Sequence, residues 1–157
     1  MTRLRWQARH ACYIRSVISE CNLLVSWRSK PRGLVALMGL YESNYLRLTA
    51  LAGHPASLRG TATSIVTGDC ELHLAVLERA RYTTDLTLKY RLPSGGPGDA
   101  LPLELPDLLL RAYHDARLVE ALPGAGSRER ELLQSWSRNM MLNKWLEYCA
   151  ERGHRFS

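Results

Sequence analysis

Two short segments of the chain concentrate side chains that can bind an anion or transfer a proton. Residues 78–84 read Glu-Arg-Ala-Arg-Tyr-Thr-Thr, and residues 111–117 read Arg-Ala-Tyr-His-Asp-Ala-Arg. Arginine binds phosphate and carboxylate groups, and a histidine beside a carboxylate supports acid–base chemistry near neutral pH. The candidate ligand-binding residues in these segments are Glu78, Arg79, Arg81, Tyr82, Thr84, Arg111, His114, Asp115 and Arg117.

Hydrophobic periodicity predicts the elements that carry these segments. Helical spacing predicts a helix over residues 34–52, and alternation predicts strands over 58–67, 71–79, 82–92 and 107–114, with a long loop over 93–106. Asp115 is the expected N-cap of a short helix over 116–122, and Ser127 that of a long helix over 128–152. The predicted fold is α+β: an N-terminal helix, a four-stranded mostly antiparallel sheet and a long C-terminal helix in two-layer packing.

In a meander of the last three strands, both segments lie at one edge of the sheet, which we call the polar corner. Strand parity directs four of the candidates towards the helices: Glu78, Tyr82, Thr84 and His114. The opposite face is predicted to be polar and most simply solvated, with His73, Thr83, Asp85, Thr87, Lys89, Arg91, Arg111 and Tyr113.

The polar corner has two interpretations that the residues leave open. In one it is a pocket, in which arginines hold a phosphate or carboxylate. In the other it is a structural network, in which Glu78 pairs with an arginine, Asp115 caps its helix and His114 satisfies a backbone carbonyl. Asn44 lies on the apolar stripe of the first helix and could reach this corner, although a satisfied core amide is the commoner role.

The charge distribution separates a basic N-terminal extension from the rest. Residues 1–32 hold seven basic side chains and one acidic one, which accounts for the whole formal net charge of +6. We therefore expect an extension over residues 1–32 and one α+β domain over residues 33–157. The extension has four interpretations: a disordered segment, a nucleic-acid arm, a transit peptide or the product of a mis-set start. No apolar run is long enough for a secretory signal or a membrane span, so we expect a cytoplasmic protein.

The four cysteines, Cys12, Cys21, Cys70 and Cys149, are scattered and form no C-x-x-C motif. A site for zinc or another metal is therefore not predicted. No cofactor is predicted either, because the glycines of the 93–106 loop are not followed by the Lys and Ser or Thr of a phosphate-binding loop. We expect reduced thiols, with Cys149 as a small core residue.

Several segments resemble signature stretches of the YqiB-like bacterial proteins of unknown function. They are Tyr41–Leu48, Val76–Thr84 and Arg111–Arg117, together with Asn143–Leu146 and Cys149, and the resemblance runs from about Leu34 to His154. It implies a small cytoplasmic bacterial protein and the same candidate positions, but no reaction. One stretch differs: relatives carry an Arg-Tyr-x-Tyr-Pro-Asn-like sequence where this chain has Gly124-Ala-Gly-Ser127.

The favoured hypothesis is a non-catalytic binding or regulatory module for an anionic, phosphate-bearing ligand such as a nucleotide or RNA. The alternative is a hydrolase or transferase that uses His114 with Glu78 or Asp115. No nucleophile elbow, metal-ligand pair or phosphate loop accompanies these residues, so the motifs favour binding. A protein partner also remains open.

Overall fold

The computed structural model describes residues 33–92, 103–106, 108–124 and 132–156. Helix α1 spans Leu34–Ala52 and is followed by a 3₁₀ turn, Pro55–Ser57. The strands are β1 (Thr61–Ser64), β2 (Glu71–Arg79), β3 (Thr83–Leu92), β4 (Leu103–Leu105), β5 (Leu109–Tyr113) and β6 (Leu118–Leu122), and helix α2 spans Leu132–Glu151.

The strands form one antiparallel sheet in the order β1-β2-β3-β5-β6. Strand β4 pairs with the end of β3, and β5 pairs with its beginning, so the two short strands lie along the same side of β3. Strand β3 lies between β2 on one side and β4 and β5 on the other. The β2–β3 connection precedes the first residue of β3, and the β5–β6 connection follows the part of β5 that pairs with that residue, so the two connections are neighbours.

The two helices cover one face of the sheet. The core contains leucines from α1, β2, β3, β5 and α2, among them Leu48, Leu72, Leu86, Leu110 and Leu146, each almost completely buried. Burying such side chains stabilises the fold by about 1.5–3 kcal/mol each. Trp145 of α2 donates its indole N–H to the carbonyl of Leu88 at 3.4 Å and meets the Tyr90 ring edge to face. The even-numbered residues of β3 therefore face the helices, as strand parity predicts.

The predicted α+β class, both long helices and the strands β2 and β3 are confirmed, but the predicted number of strands is wrong. Among the described residues the sheet has six strands, because β4 lies within the predicted loop and residues 118–122 form β6 instead of a helix. Asp115 caps no helix and lies in the β5–β6 turn, where Arg117 adopts a positive φ of 54°. The backbone groups of Leu118–Leu122 pair with β5, which outweighs the local capping signal.

Some predictions fall on residues that lie outside the described ranges: the 1–32 extension, Cys12, Cys21, most of the 93–106 loop and the Ser127 cap. Within the described ranges, no helix is both long and apolar enough to cross a membrane.

Candidate anion-binding site

The polar corner lies where the β2–β3 and β5–β6 connections meet. The Ala80 N–H donates to the carbonyl of Thr83 at 2.9 Å, which closes the first connection. The His114 N–H donates to the carbonyl of Tyr82 at 2.9 Å, which joins the two connections. The structure thus brings together the two segments that the sequence singled out.

Thr84 and His114 point towards the helix side of the sheet, as predicted. The completely buried Thr84 hydroxyl lies 2.8 Å from His114 Nε2, within hydrogen-bond distance, and 3.4 Å from the carbonyl oxygen of Pro55. The 3₁₀ turn that follows α1 therefore lies against this part of the corner. Neither Glu78 nor Asp115 is hydrogen-bonded to His114 in the described part of the chain.

Glu78 does not point towards the helices, and this prediction from strand parity is wrong. The register shifts by one residue between Val76 and Glu78, so Val76 lies opposite Leu86 while Glu78 lies opposite Asp85. A bulge of this kind exchanges the faces of all later residues in the strand. Glu78 is consequently exposed on the sheet face away from the helices.

The same bulge turns Arg79 towards the helix side, opposite Thr84. There Arg79 Nη2 donates to the carbonyl of Ala56 at 2.8 Å, and Arg59 Nη1 donates to the same oxygen at 2.9 Å. We call Arg59 and Arg79 the arginine pair. Neither forms a salt bridge with a carboxylate of the described residues, so two exposed guanidinium groups lie side by side and repel each other. Sequence reasoning missed Arg59, because nothing in the local pattern connects residue 59 to this edge.

Arg111 lies on the sheet face away from the helices, where it already forms an ion pair. Its guanidinium makes two hydrogen bonds of 2.7 Å to the two oxygens of Asp85, a bidentate geometry that is among the stronger ion-pair arrangements. The hydrogen bond to Asp85 raises the pKa of Arg111 above its ordinary value. For this residue the structural interpretation describes the contacts better than the ligand-binding one.

The remaining candidates surround the corner at the surface. Arg81, Asp115 and Arg117 are exposed, and Tyr82 is 51% exposed with the Arg81 guanidinium 5.0 Å from its ring centroid. The helix side of the corner therefore presents the arginine pair and the imidazole of His114, while Glu78 is directed away. This arrangement suits an anion better than acid–base chemistry in which Glu78 or Asp115 orients His114, because among the described residues neither carboxylate is hydrogen-bonded to the imidazole.

Asn44 does not reach the polar corner and is a satisfied core amide instead. It donates to the carbonyl of Val119 at 3.3 Å and accepts a hydrogen bond from Asn143 at 3.0 Å. Asn139 accepts the Ala121 N–H at 2.8 Å, and Arg138 donates to the Ala121 carbonyl at 2.7 Å. These side chains satisfy the free backbone groups of edge strand β6, which would otherwise be buried without partners.

A second polar cluster, which sequence reasoning missed, joins the C-terminal residues to the β1–β2 region. One oxygen of Asp69, whose side chain is fully buried, accepts hydrogen bonds from Tyr90 at 2.9 Å, Arg152 at 2.9 Å and His154 at 3.3 Å. The other oxygen accepts the backbone N–H of Cys70 at 2.8 Å. The Ser64 hydroxyl lies 3.1 Å from His154 Nδ1. We call this cluster, formed by Ser64, Asp69, Tyr90, Arg152 and His154, the C-terminal clasp.

The clasp has the Ser–His–Asp order of a hydrolase triad, but its burial suits a structural role. Because a carboxylate only accepts, His154 Nε2 carries a proton towards Asp69, while Nδ1 of the same ring lies within hydrogen-bond distance of the Ser64 hydroxyl. Ser64 is 5% and His154 1% exposed, so no substrate reaches the hydroxyl in this conformation. The only local signal was the Gly68-Asp69 pair, which predicts a turn and says nothing about a partner at residue 154.

The charges in the clasp interact strongly. Burial by itself raises the pKa of Asp69, but the hydrogen bonds from His154, Arg152, Cys70 and Tyr90 outweigh this effect and hold it well below its ordinary value. Burial likewise raises the pKa of Tyr90 and of the nearby Cys149 thiol, which is a core residue as predicted. No group of three or more His, Cys, Asp or Glu side chains among the described residues could hold a metal ion.

The fold and the site together define a small α+β protein with an antiparallel sheet and a cationic corner at one sheet edge. Residues 47–155 match the family described as "Protein of unknown function (DUF1249)", and the chain belongs to this family. Both connections of the polar corner and the whole C-terminal clasp lie within the matched residues.

The chain is similar to curated proteins called "Uncharacterized protein YqiB" from Escherichia coli strain K12 and strain O157:H7. Each is 25% identical over 131 residues, which cover 74% of this chain and 88% of the relative. These relatives confirm the resemblance to YqiB-like bacterial proteins. No solved structure matches the chain.

Proposed function

We propose that this protein is a non-catalytic binding module for an anionic, phosphate-bearing ligand, which it holds at the polar corner. The proposal includes a single domain over residues 33–157 and a cytoplasmic location in a bacterium. The observation that carries it is the arginine pair: Arg59 and Arg79 converge on the Ala56 carbonyl without a carboxylate partner among the described residues.

A bound phosphate would lower the electrostatic repulsion within the arginine pair and complete the hydrogen bonding of both guanidinium groups. Arg81 and Arg117 are exposed around the same corner and add further positive charge. The hydrolase or transferase alternative has less support, because the bulge in β2 removes Glu78 from His114 and leaves Thr84 as the histidine's partner.

The test is titration calorimetry of the full chain with inorganic tripolyphosphate and with a 5′-phosphorylated RNA hexanucleotide at two salt concentrations. We expect binding that weakens as salt rises, and a roughly 10- to 100-fold loss of affinity in Arg59→Gln or Arg79→Gln, which each remove charge-assisted hydrogen bonds.

Arg91→Gln is the matched control, because Arg91 is an exposed arginine paired with Glu104 at the opposite end of β3. It removes the same charge and is expected to leave affinity within about twofold, as screening weakens distant charges. If all three variants bind like the parent, or the parent binds neither anion, the polar corner is not an anion site.

A further inference from the structure

Tyr82 presents an aromatic surface three residues after Arg79 in the chain. It lies in the β2–β3 connection, and 51% of its surface is exposed. The Arg81 guanidinium lies 5.0 Å from its ring centroid, a distance at which a cation is attracted to the ring. An exposed aromatic ring with an arginine against it is the kind of surface on which nucleobases stack.

The backbone places Tyr82 close to one member of the arginine pair. Tyr82 lies in the bend just before β3, two residues before Thr84, and Thr84 lies directly opposite Arg79. The carbonyl of Tyr82 also accepts the His114 N–H at 2.9 Å. Arg79 and Tyr82 therefore flank one short connection, and a ligand that contacts both must carry its anionic and aromatic parts close together.

We propose that the ligand of the polar corner is a nucleotide, whose base stacks on Tyr82 while the arginine pair holds its phosphates. This inference rests on the proposed function and narrows it. A phosphosugar or a free polyphosphate fills the cationic part of the site only. A nucleotide fills both parts, since its base and its phosphates are joined through one ribose.

The test compares the binding of ATP and of inorganic tripolyphosphate, both without Mg²⁺, to the full chain. The variants are Tyr82→Leu, which removes the aromatic ring, and Tyr82→Phe, which retains it. We expect the parent to bind ATP more tightly than tripolyphosphate. Tyr82→Leu is expected to lose roughly 5- to 150-fold in ATP affinity, while its affinity for tripolyphosphate stays within about twofold of the parent. Tyr82→Phe is expected to bind ATP like the parent.

The possible results separate this inference from the proposed function. If the parent binds both probes equally and Tyr82→Leu changes neither affinity, the stacking inference is overturned and the anion site remains. If Tyr82→Leu weakens both probes equally, Tyr82 supports the site structurally and the inference again fails. If the parent binds neither probe, both proposals fail together.

Discussion

Replacement of Asp69 by asparagine is expected to destabilise the fold severely, although the two side chains have nearly the same size. In the parent, one oxygen of Asp69 accepts from Tyr90, Arg152 and His154, and the other accepts from the Cys70 N–H. An asparagine amide has only one acceptor oxygen. In either orientation its NH₂ group therefore faces at least one buried donor.

The expected decrease in the free energy of unfolding follows from the interactions that the Asp69→Asn variant loses. The variant loses the negative charge opposite Arg152, and a hydrogen bond to a charged group contributes about 1.5–3 kcal/mol. It also leaves a buried donor without an acceptor, which costs about 1–3 kcal/mol. Together these losses are expected to lower the free energy of unfolding by about 3–5 kcal/mol, or roughly 10–20 °C in Tm.

The assay is urea unfolding followed by far-UV circular dichroism, with Glu71→Gln as the matched control. Glu71 is a partly exposed carboxylate two residues away, whose hydrogen bond goes to His73 at 3.1 Å. Its replacement is expected to change stability by less than about 1 kcal/mol. A loss below about 1 kcal/mol for Asp69→Asn would refute the argument that the C-terminal clasp holds the fold together.

Two further predictions concern the same fold. The stability difference between parent and Asp69→Asn is expected to depend on pH, because the pKa of Asp69 is lower in the folded state than in the unfolded state. The ionised carboxylate contributes fully to the free energy of unfolding above the unfolded-state pKa of about 3.9, and this contribution is lost as the pH falls towards the folded-state pKa. Unfolding measured at pH 7 and pH 2.5 checks this, and a difference that grows in acid would contradict it. Asn139→Ala is expected to cost about 1–3 kcal/mol, because the Ala121 N–H of edge strand β6 loses its acceptor, whereas exposed Gln134→Ala is expected to change stability by less than about 0.5 kcal/mol. Equal unfolding midpoints for these two variants would show that Asn139 does not protect the edge.

The sequence predicts the elements whose hydrophobic pattern is long and regular. The helix over 34–52 matches α1, and the strand over 71–79 matches β2. Their periods differ, 3.6 residues for a helix and 2 for a strand, so a run of apolar residues identifies each one without reference to the rest of the chain. Alternation also places Thr84 and His114 correctly on the helix side.

Local pattern fails where the partner decides the conformation. Leu118–Leu122 is short enough to suit a helix or a strand, and hydrogen bonds to β5 decide between them. The sequence of β2 does not reveal its bulge. The extra residue changes which face of the sheet the later side chains occupy, but it leaves the pattern of apolar and polar residues unchanged. Because of this shift, Arg79 and not Glu78 lies on the helix side of the polar corner, which favours anion binding over acid–base chemistry there.

The functional contacts are the part that only the tertiary structure decides. Arg59 and Arg79 both donate to one carbonyl of the 3₁₀ turn, and His154 contacts Ser64 and Asp69, which are 90 and 85 residues away in the sequence. Sequence determines which side chains can donate, accept or carry charge. Their convergence depends on strand order and on how the helix ends pack, because hydrogen bonds and ion pairs act only over a few ångströms, whereas these residues are far apart along the chain.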